Sequence, residues 1–311
     1  MLNLEEFRKA VRGEVQLSYN LAKFSSFRIG GNADVFVSPK DKSDVLSAVQ
    51  FFEKVKLPYI VLGRGSNVLI SDKGIRGAVI SLREKLEHIE IQEHNGDVLV
   101  YVEAGVDLPA LAVDMLKKGY GGLENLSGIP GSVGGAILMN AGAYGKEIFE
   151  LVESVEVIRH GEIQMLQREQ IAYRYRGTDL ERDIILSCIL RLKKLSTEEQ
   201  KAAMENRKIW MEKRRRTQPL TLPNAGSIFK NPPPTAQGTP QYAGALIEAC
   251  GLKGKRIGDA QISEKHANFI VNLGEAKASD VIALIELARA EVKRKFGITL
   301  ELEIKLLGEF D

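Results

Sequence analysis

At 311 residues, with 44% hydrophobic and 27% charged residues, the chain has the composition of a soluble globular protein large enough for more than one core. Its net charge of +2 is spread along the chain and gives no basis for a nucleic-acid partner. No apolar run nears the roughly 18 residues of a membrane span. Two cysteines and four scattered histidines lack metal-ligand spacing, so no metal is expected.

Residues 1–15 read as a short amphipathic helix of mixed charge without the features of a secretory signal, so export is not expected. Apolar spacing predicts a helix over 43–55, with Ser43 able to cap its first turn, and a strand over 59–62. That strand runs straight into Gly63-Arg64-Gly65-Ser66-Asn67. Strands at 68–70 and 78–80 flank a turn at 71–74. A strand at 97–104 and a helix over 108–118 follow. Further strands are predicted at 151–158, 162–166 and 184–192. Beyond a boundary near 195 come a highly charged helix from 197 to about 215, a proline-rich break at 219–223, and a proline-rich loop at 232–240. Helices over 243–250 and 279–296 and a strand over 299–306 complete the chain. The stripe Val281, Ile282, Leu284, Ile285, Ala288 and Val292 on the long helix is core packing, and Trp210 and Met211 on the charged one read as packing residues. Cys188 and Cys250 sit in apolar contexts and read as buried, reduced thiols. These patterns divide the chain at 1–82, 83–195 and 196–311.

Two glycine-dense stretches carry the functional signal: Ser127-Gly128-Ile129-Pro130-Gly131-Ser132-Val133-Gly134-Gly135 and Asn140-Ala141-Gly142-Ala143-Tyr144-Gly145. Glycine suits backbone that approaches a ligand closely, and clustered amides can hold a pyrophosphate without lysine. Neither these stretches nor residues 63–67 fit the dinucleotide fingerprint GxGxxG or the P-loop.

Together with Ser26-Phe27-Arg28-Ile29-Gly30-Gly31, these segments closely resemble the FAD-binding motifs of the UDP-N-acetylenolpyruvoylglucosamine reductases, in order, from about residue 18 to residue 306. The resemblance implies an α+β protein: a p-cresol-methylhydroxylase-type (vanillyl-alcohol-oxidase-like) FAD-binding fold in two subdomains, 1–82 and 83–195, and a substrate-binding domain at 196–311. It further implies FAD held without a covalent link by Arg28, Gly63, Arg64, Gly65, Ser66, Asn67, Ser127, Gly128, Pro130, Gly131, Ser132, Gly134, Gly135, Asn140, Gly142, Ala143 and Tyr144. NADPH as reductant, the enolpyruvyl UDP-sugar as substrate, a cytoplasmic location and a monomer are implied as well.

Three separated segments complete the resemblance and imply a catalytic set of Arg174 in AYRYRG, Ser227 in NAGSIFKNP and Glu303 in LELEI. In the family, hydride passes from reduced FAD to C3 of the enolpyruvyl group and a proton goes to C2. A fixed guanidinium suits the negative charge that develops, and a serine hydroxyl can deliver the proton. Substrate contacts are implied for Tyr173, Lys230, Asn231 and His266, and a phosphate contact for Arg214 or Arg215. His266 is equally readable as a hydrogen-bonded structural residue, and Lys213–Arg216 as a solvated helix end. The family's longer class carries a tyrosine loop after the Tyr-Arg motif. Here only residues 176–183, without tyrosine, separate that motif from the next strand, which matches the shorter class. The loop at 232–240 is then a candidate lid. Two other readings compete: a flavin oxidase of the same fold, which commonly tethers FAD to histidine, and a catalytically silent nucleotide-binding protein.

Overall fold

The computed structural model of the chain describes residues 4–94 and 96–310. These pack into two compact units: the chain up to Leu17 with Val35–Arg64 and Gly77–Glu212, and Ser18–Asp34 with Gly65–Arg76 and the chain from Lys213 onward.

The first unit is built on an antiparallel sheet in the order Glu162–Gln167, Val152–Arg159, Ile184–Lys194, Asp97–Glu103, Ile89–His94. Strand Asp97–Glu103 alternates, sending fully buried Val98, Val100 and Val102 inward, which is the period-two pattern of a half-buried strand. The central strand Ile184–Lys194 is buried continuously through Cys188, as a strand covered on both faces must be. A second sheet pairs Tyr59–Leu62 parallel with Ile75–Ser81. Helix Lys42–Lys54 buries Val45, Ala48, Val49, Phe51 and Phe52. Its cap is Asp41, not Ser43. The Asp41 carboxylate accepts from the Asp44 amide at 3.0 Å, and the Ser43 hydroxyl donates to the same oxygen at 2.7 Å. A charged acceptor is favoured at the positive end of the helix.

In the second unit, helix Ala278–Phe296 buries Val281, Leu284, Ile285, Ala288 and Val292 against Phe229, Ile247 and Ile262. It ends at Gly297, whose left-handed φ of 71° allows its amide to reach the Lys293 carbonyl at 2.9 Å. The expected strand at 299–306 is divided between two neighbours. Its first part runs beside 228–230 through a Phe229–Leu302 bridge, and only Lys305–Leu307 forms a strand, parallel to Val68–Ile70. The alternation of Leu300, Leu302 and Ile304 suits either partner, so it could not mark the change. Cys188 is buried, and burial pushes its thiol up to about 12. Cys250 is only half-buried at its helix end, so the reading of both thiols as buried holds for Cys188 alone. No described helix is long and apolar enough to cross a membrane.

Candidate active site

In the first unit, strand Tyr59–Leu62 delivers Gly63 against Ser132. A Cβ on Gly63 would lie 2.1 Å from the Ser132 hydroxyl oxygen, so only glycine permits this approach. Ser132 is 2% exposed and caps helix Val133–Leu138, accepting from the Gly135 amide at 3.3 Å. Gly134 packs against Ala104, where a Cβ would come within 2.8 Å of the alanine's own. Here lies an open cleft lined by Val61, Leu82, Ala104, Leu138, Ile184 and Ile185, with Asp183 and the glycine-loop residues Gly63, Ser132, Gly134 and Gly135. An aliphatic wall facing two glycine turns fits the flat apolar ring system and polar linker of a flavin dinucleotide.

The loop's amides are less available than its glycine content promised. Those of Ile129, Val133 and Gly134 donate at 2.9 Å to the carbonyls of Leu126, Val106 and Ala104 respectively. The Ser127 hydroxyl donates to the Glu124 carbonyl at 2.8 Å. An amide cradle for an anion is therefore narrowed to half-buried Gly128 and Gly131 and to Ser132, since exposed Pro130 has no N–H to donate. Arg64 lies between two carboxylates, with Nε 3.1 Å from Asp107 and a terminal nitrogen 3.6 Å from Glu87.

The second glycine stretch is tied to its surroundings by side chains. Tyr144 has a φ of 53°, stacks on Trp210 at 5.0 Å and donates its hydroxyl proton to the Trp210 carbonyl at 3.0 Å. The Gly142 carbonyl accepts from Arg176 at 2.9 Å, and Ala143 pairs with Lys146. Asn140 is fully buried, and its amide donates to the Arg174 carbonyl at 3.1 Å. Arg174 stands exposed on a two-residue pairing of Tyr173–Arg174 with Gly177–Thr178. Its guanidinium folds over Gly177, 3.5 Å from where a Cβ there would sit. The Tyr173 ring stacks on buried Phe149 at 4.8 Å.

In the second unit Arg28, exposed with a φ of 56°, precedes Ile29 near the Gly65 turn, whose carbonyl accepts from the Ser26 amide at 3.0 Å. Half-buried Ser66 leads to Asn67, which reaches across 236 residues of sequence to donate to the Glu303 carbonyl at 3.1 Å. The Glu303 amide in turn donates to the Ile228 carbonyl at 2.8 Å, and the Lys230 amide to the Glu301 carbonyl at 2.9 Å. Ser227 and Glu303 therefore stand on adjoining segments, with Asn67 bonded to the Glu303 backbone. Gly226, at φ 80°, makes the turn that places the serine.

Sequence reasoning did not single out Asn268 as the clamp on this segment. Buried to 4% exposure, its side chain accepts from the Phe229 amide at 2.9 Å and donates to the Phe229 carbonyl at 2.8 Å, replacing a strand neighbour. Its signal was a polar residue inside the apolar run Ala267-Asn268-Phe269-Ile270.

The expected substrate contacts have varied surroundings. Lys230 is half-buried with its ammonium 4.0 Å from Glu301, and the Asn231 side-chain oxygen accepts from the Ala243 amide at 3.1 Å, at the start of a helix. His266 accepts from the Asn268 amide at 3.2 Å and meets Phe269 edge-on at 5.0 Å. Burial, with the Lys253 charge adding to it, holds its imidazole below the usual range, so it is neutral near pH 7. Arg214 is half-buried and Arg215 exposed near the end of helix Thr197–Thr217. The 232–240 loop closes on itself through Thr235 and Thr239 and is held by Gln241, which donates to the Pro233 carbonyl at 2.6 Å.

Residues 33–165 match the family model described as FAD binding domain, and residues 218–307 match UDP-N-acetylenolpyruvoylglucosamine reductase, C-terminal domain. The fold and the cleft thus define an FAD-dependent oxidoreductase of α+β architecture. The chain is 58% identical to the UDP-N-acetylenolpyruvoylglucosamine reductase of Chloroherpeton thalassium over 99% of its own length and 98% of that protein's. It is 40% identical to that of Halalkalibacterium halodurans over 98% of each. The crystal structure of UDP-N-acetylenolpyruvylglucosamine reductase from Thermus caldophilus superposes with a TM-score of 0.78 at 35% identity, covering 95% of this chain and 99% of that one. The chain belongs to the UDP-N-acetylenolpyruvoylglucosamine reductase family.

Proposed function

We propose that this enzyme uses NADPH to reduce the enolpyruvyl ether of UDP-N-acetylglucosamine to UDP-N-acetylmuramic acid for peptidoglycan synthesis, acting as a cytoplasmic monomer. The observation that supports this most is the 58% identity to a reductase of that name along 99% of the chain. FAD, when bound, supplies the hydride for C3 of the enolpyruvyl group. The Val61, Ala104, Leu138 and Ile184 wall and the loops at Gly63 and Ser132 would hold it and exclude water.

The chain's own groups handle charge and proton. The Arg174 guanidinium stabilises the negative charge that develops on the substrate carboxylate through charge-assisted hydrogen bonds. Ser227 delivers its hydroxyl proton to C2, and Glu303 orients the carboxylate and the serine beside it. Lys230 offsets substrate negative charge, Tyr173 supplies an aromatic face, and His266, being neutral, acts by hydrogen bond rather than by charge. Arg214 meets a phosphate.

Single-turnover flavin absorbance tests the reading. Enzyme reduced with NADPH and mixed anaerobically with the enolpyruvyl UDP-sugar is expected to reoxidise and yield UDP-N-acetylmuramic acid. Ser227→Ala is expected to bind substrate but slow reoxidation by about 10²–10⁴-fold. A wild-type flavin that stays reduced until oxygen is admitted would sink the assignment in favour of an oxidase.

A further inference from the structure

By resemblance Asn140 belongs with the flavin contacts, yet its side chain is engaged elsewhere. The residue is fully buried. Its Nδ2 group donates to Glu147 Oε2 at 2.6 Å and to the Arg174 carbonyl at 3.1 Å, while its Oδ1 accepts from the Phe149 amide at 3.4 Å. A carboxamide has two N–H donors, and both are engaged. Turning the amide over would set oxygen against two oxygens, so this orientation is the one the partners dictate.

We propose that Asn140 is a positioning residue for Arg174, fixing the backbone from which the guanidinium projects. The inference rests on the role given to Arg174 above. Asn140 follows helix Val133–Leu138, and its own amide donates to the Ile137 carbonyl at 3.1 Å. Leu138 and Gly135 of that helix line the cleft. The Asn140–Arg174 bond therefore joins the arginine to the element that forms the cleft wall. Two further contacts hold the flanks: Tyr173 on Phe149 and Arg176 on the Gly142 carbonyl. The Asn140 bond falls on Arg174 itself. Its loss would let the guanidinium drift, and a displacement of about 1 Å in a positioned group can cost about 10²-fold in rate.

The test separates the two half-reactions in Asn140→Ala and in the double variant Asn140→Asp/Glu147→Gln. The double variant keeps an acceptor for the Phe149 amide, and its new glutamine donates to the new carboxylate, rebuilding the contact between positions 140 and 147. At the Arg174 carbonyl the lost donor is replaced by a carboxylate oxygen, so that contact changes from a hydrogen bond to a repulsion. Both variants are expected to retain flavin and to be reduced by NADPH at the wild-type rate. Reoxidation by the enolpyruvyl substrate should slow roughly 10–100-fold. Adding Arg174→Ala to Asn140→Ala should cost no more than Arg174→Ala alone, the mark of two residues acting as one. The double variant is expected to stay folded and flavin-loaded, while its reoxidation stays slow.

Wild-type reoxidation in the double variant would overturn the proposal. So would loss of flavin, or equal slowing of both half-reactions, in both variants, since a residue needed only for the fold would behave that way. Wild-type enzyme that the substrate cannot reoxidise would sink the assigned reaction, and this role with it.

Discussion

The two units hold their proposed catalytic residues by different means. In the first, the hairpin carrying Arg174 has only two paired positions of its own, and side chains grip it from outside: Asn140 on the Arg174 carbonyl, Phe149 under Tyr173, and Arg176 on Gly142. In the second, Ser227 leads into a stretch held by main-chain bonds to 301–303 on one side and by the Asn268 side chain on the other. Main-chain pairing tolerates almost any residue, whereas a side-chain grip depends on one chemical group. Replacing a gripping side chain, Asn140 in the first unit or Asn268 in the second, should therefore cost more than replacing a residue held by main-chain pairing alone.

The largest effect is expected for Asn268→Ala. It leaves the buried Phe229 amide and carbonyl without partners, at about 1–3 kcal/mol each, so urea unfolding should register a loss of roughly 2–6 kcal/mol. A smaller loss would mean that the main-chain pairing alone holds this stretch. Gly63→Ala comes next. Its new methyl collides with the Ser132 hydroxyl and displaces a helix cap worth about 1 kcal/mol, and it also fills the cleft. Flavin absorbance relative to protein should fall. Full flavin occupancy in this variant would place the cofactor away from the Gly63–Ser132 contact.

A pH series probes the second unit further. The His266 imidazole titrates lower in the folded chain than the ordinary 6.5, chiefly through burial. Between those two values the unfolded state binds more protons, so stability falls as pH drops through 6.5 toward the folded value. His266→Gln should flatten that part of the curve, and an unchanged slope would show the histidine to be solvated. The smallest effect compares the thiols. In the native protein a thiol reagent should modify half-buried Cys250 while Cys188, its thiol pushed up to about 12 by burial, reacts only on unfolding.

Much of this was legible from local pattern. The apolar stripe of Ala278–Phe296, the alternation of Asp97–Glu103 and the charged helix Thr197–Thr217 are set by residues near one another in sequence, which is why periodicity finds them. The glycine segments were legible as places of close approach, and Gly63 against Ser132 is one. The partner of each was not, because 69 positions separate those two residues and no local rule links them.

By itself the sequence determined the flavin-loop glycines, the helices and most strands, and the motifs that carry Arg174, Ser227 and Glu303. The helices, strands and glycine turns follow from backbone preference and hydrophobic period, which act over a few residues. The motifs around Arg174, Ser227 and Glu303 were legible only through the family resemblance. Only the tertiary structure decided which amides of the 127–135 loop are engaged within the chain and that residues 300–307 change strand partners midway. It also turned Asn140 and Asn268 from polar residues in apolar surroundings into clamps on distant backbone. A buried carboxamide must find partners for its donors and acceptor, but which partners it finds is settled by the packing of segments far apart in the chain.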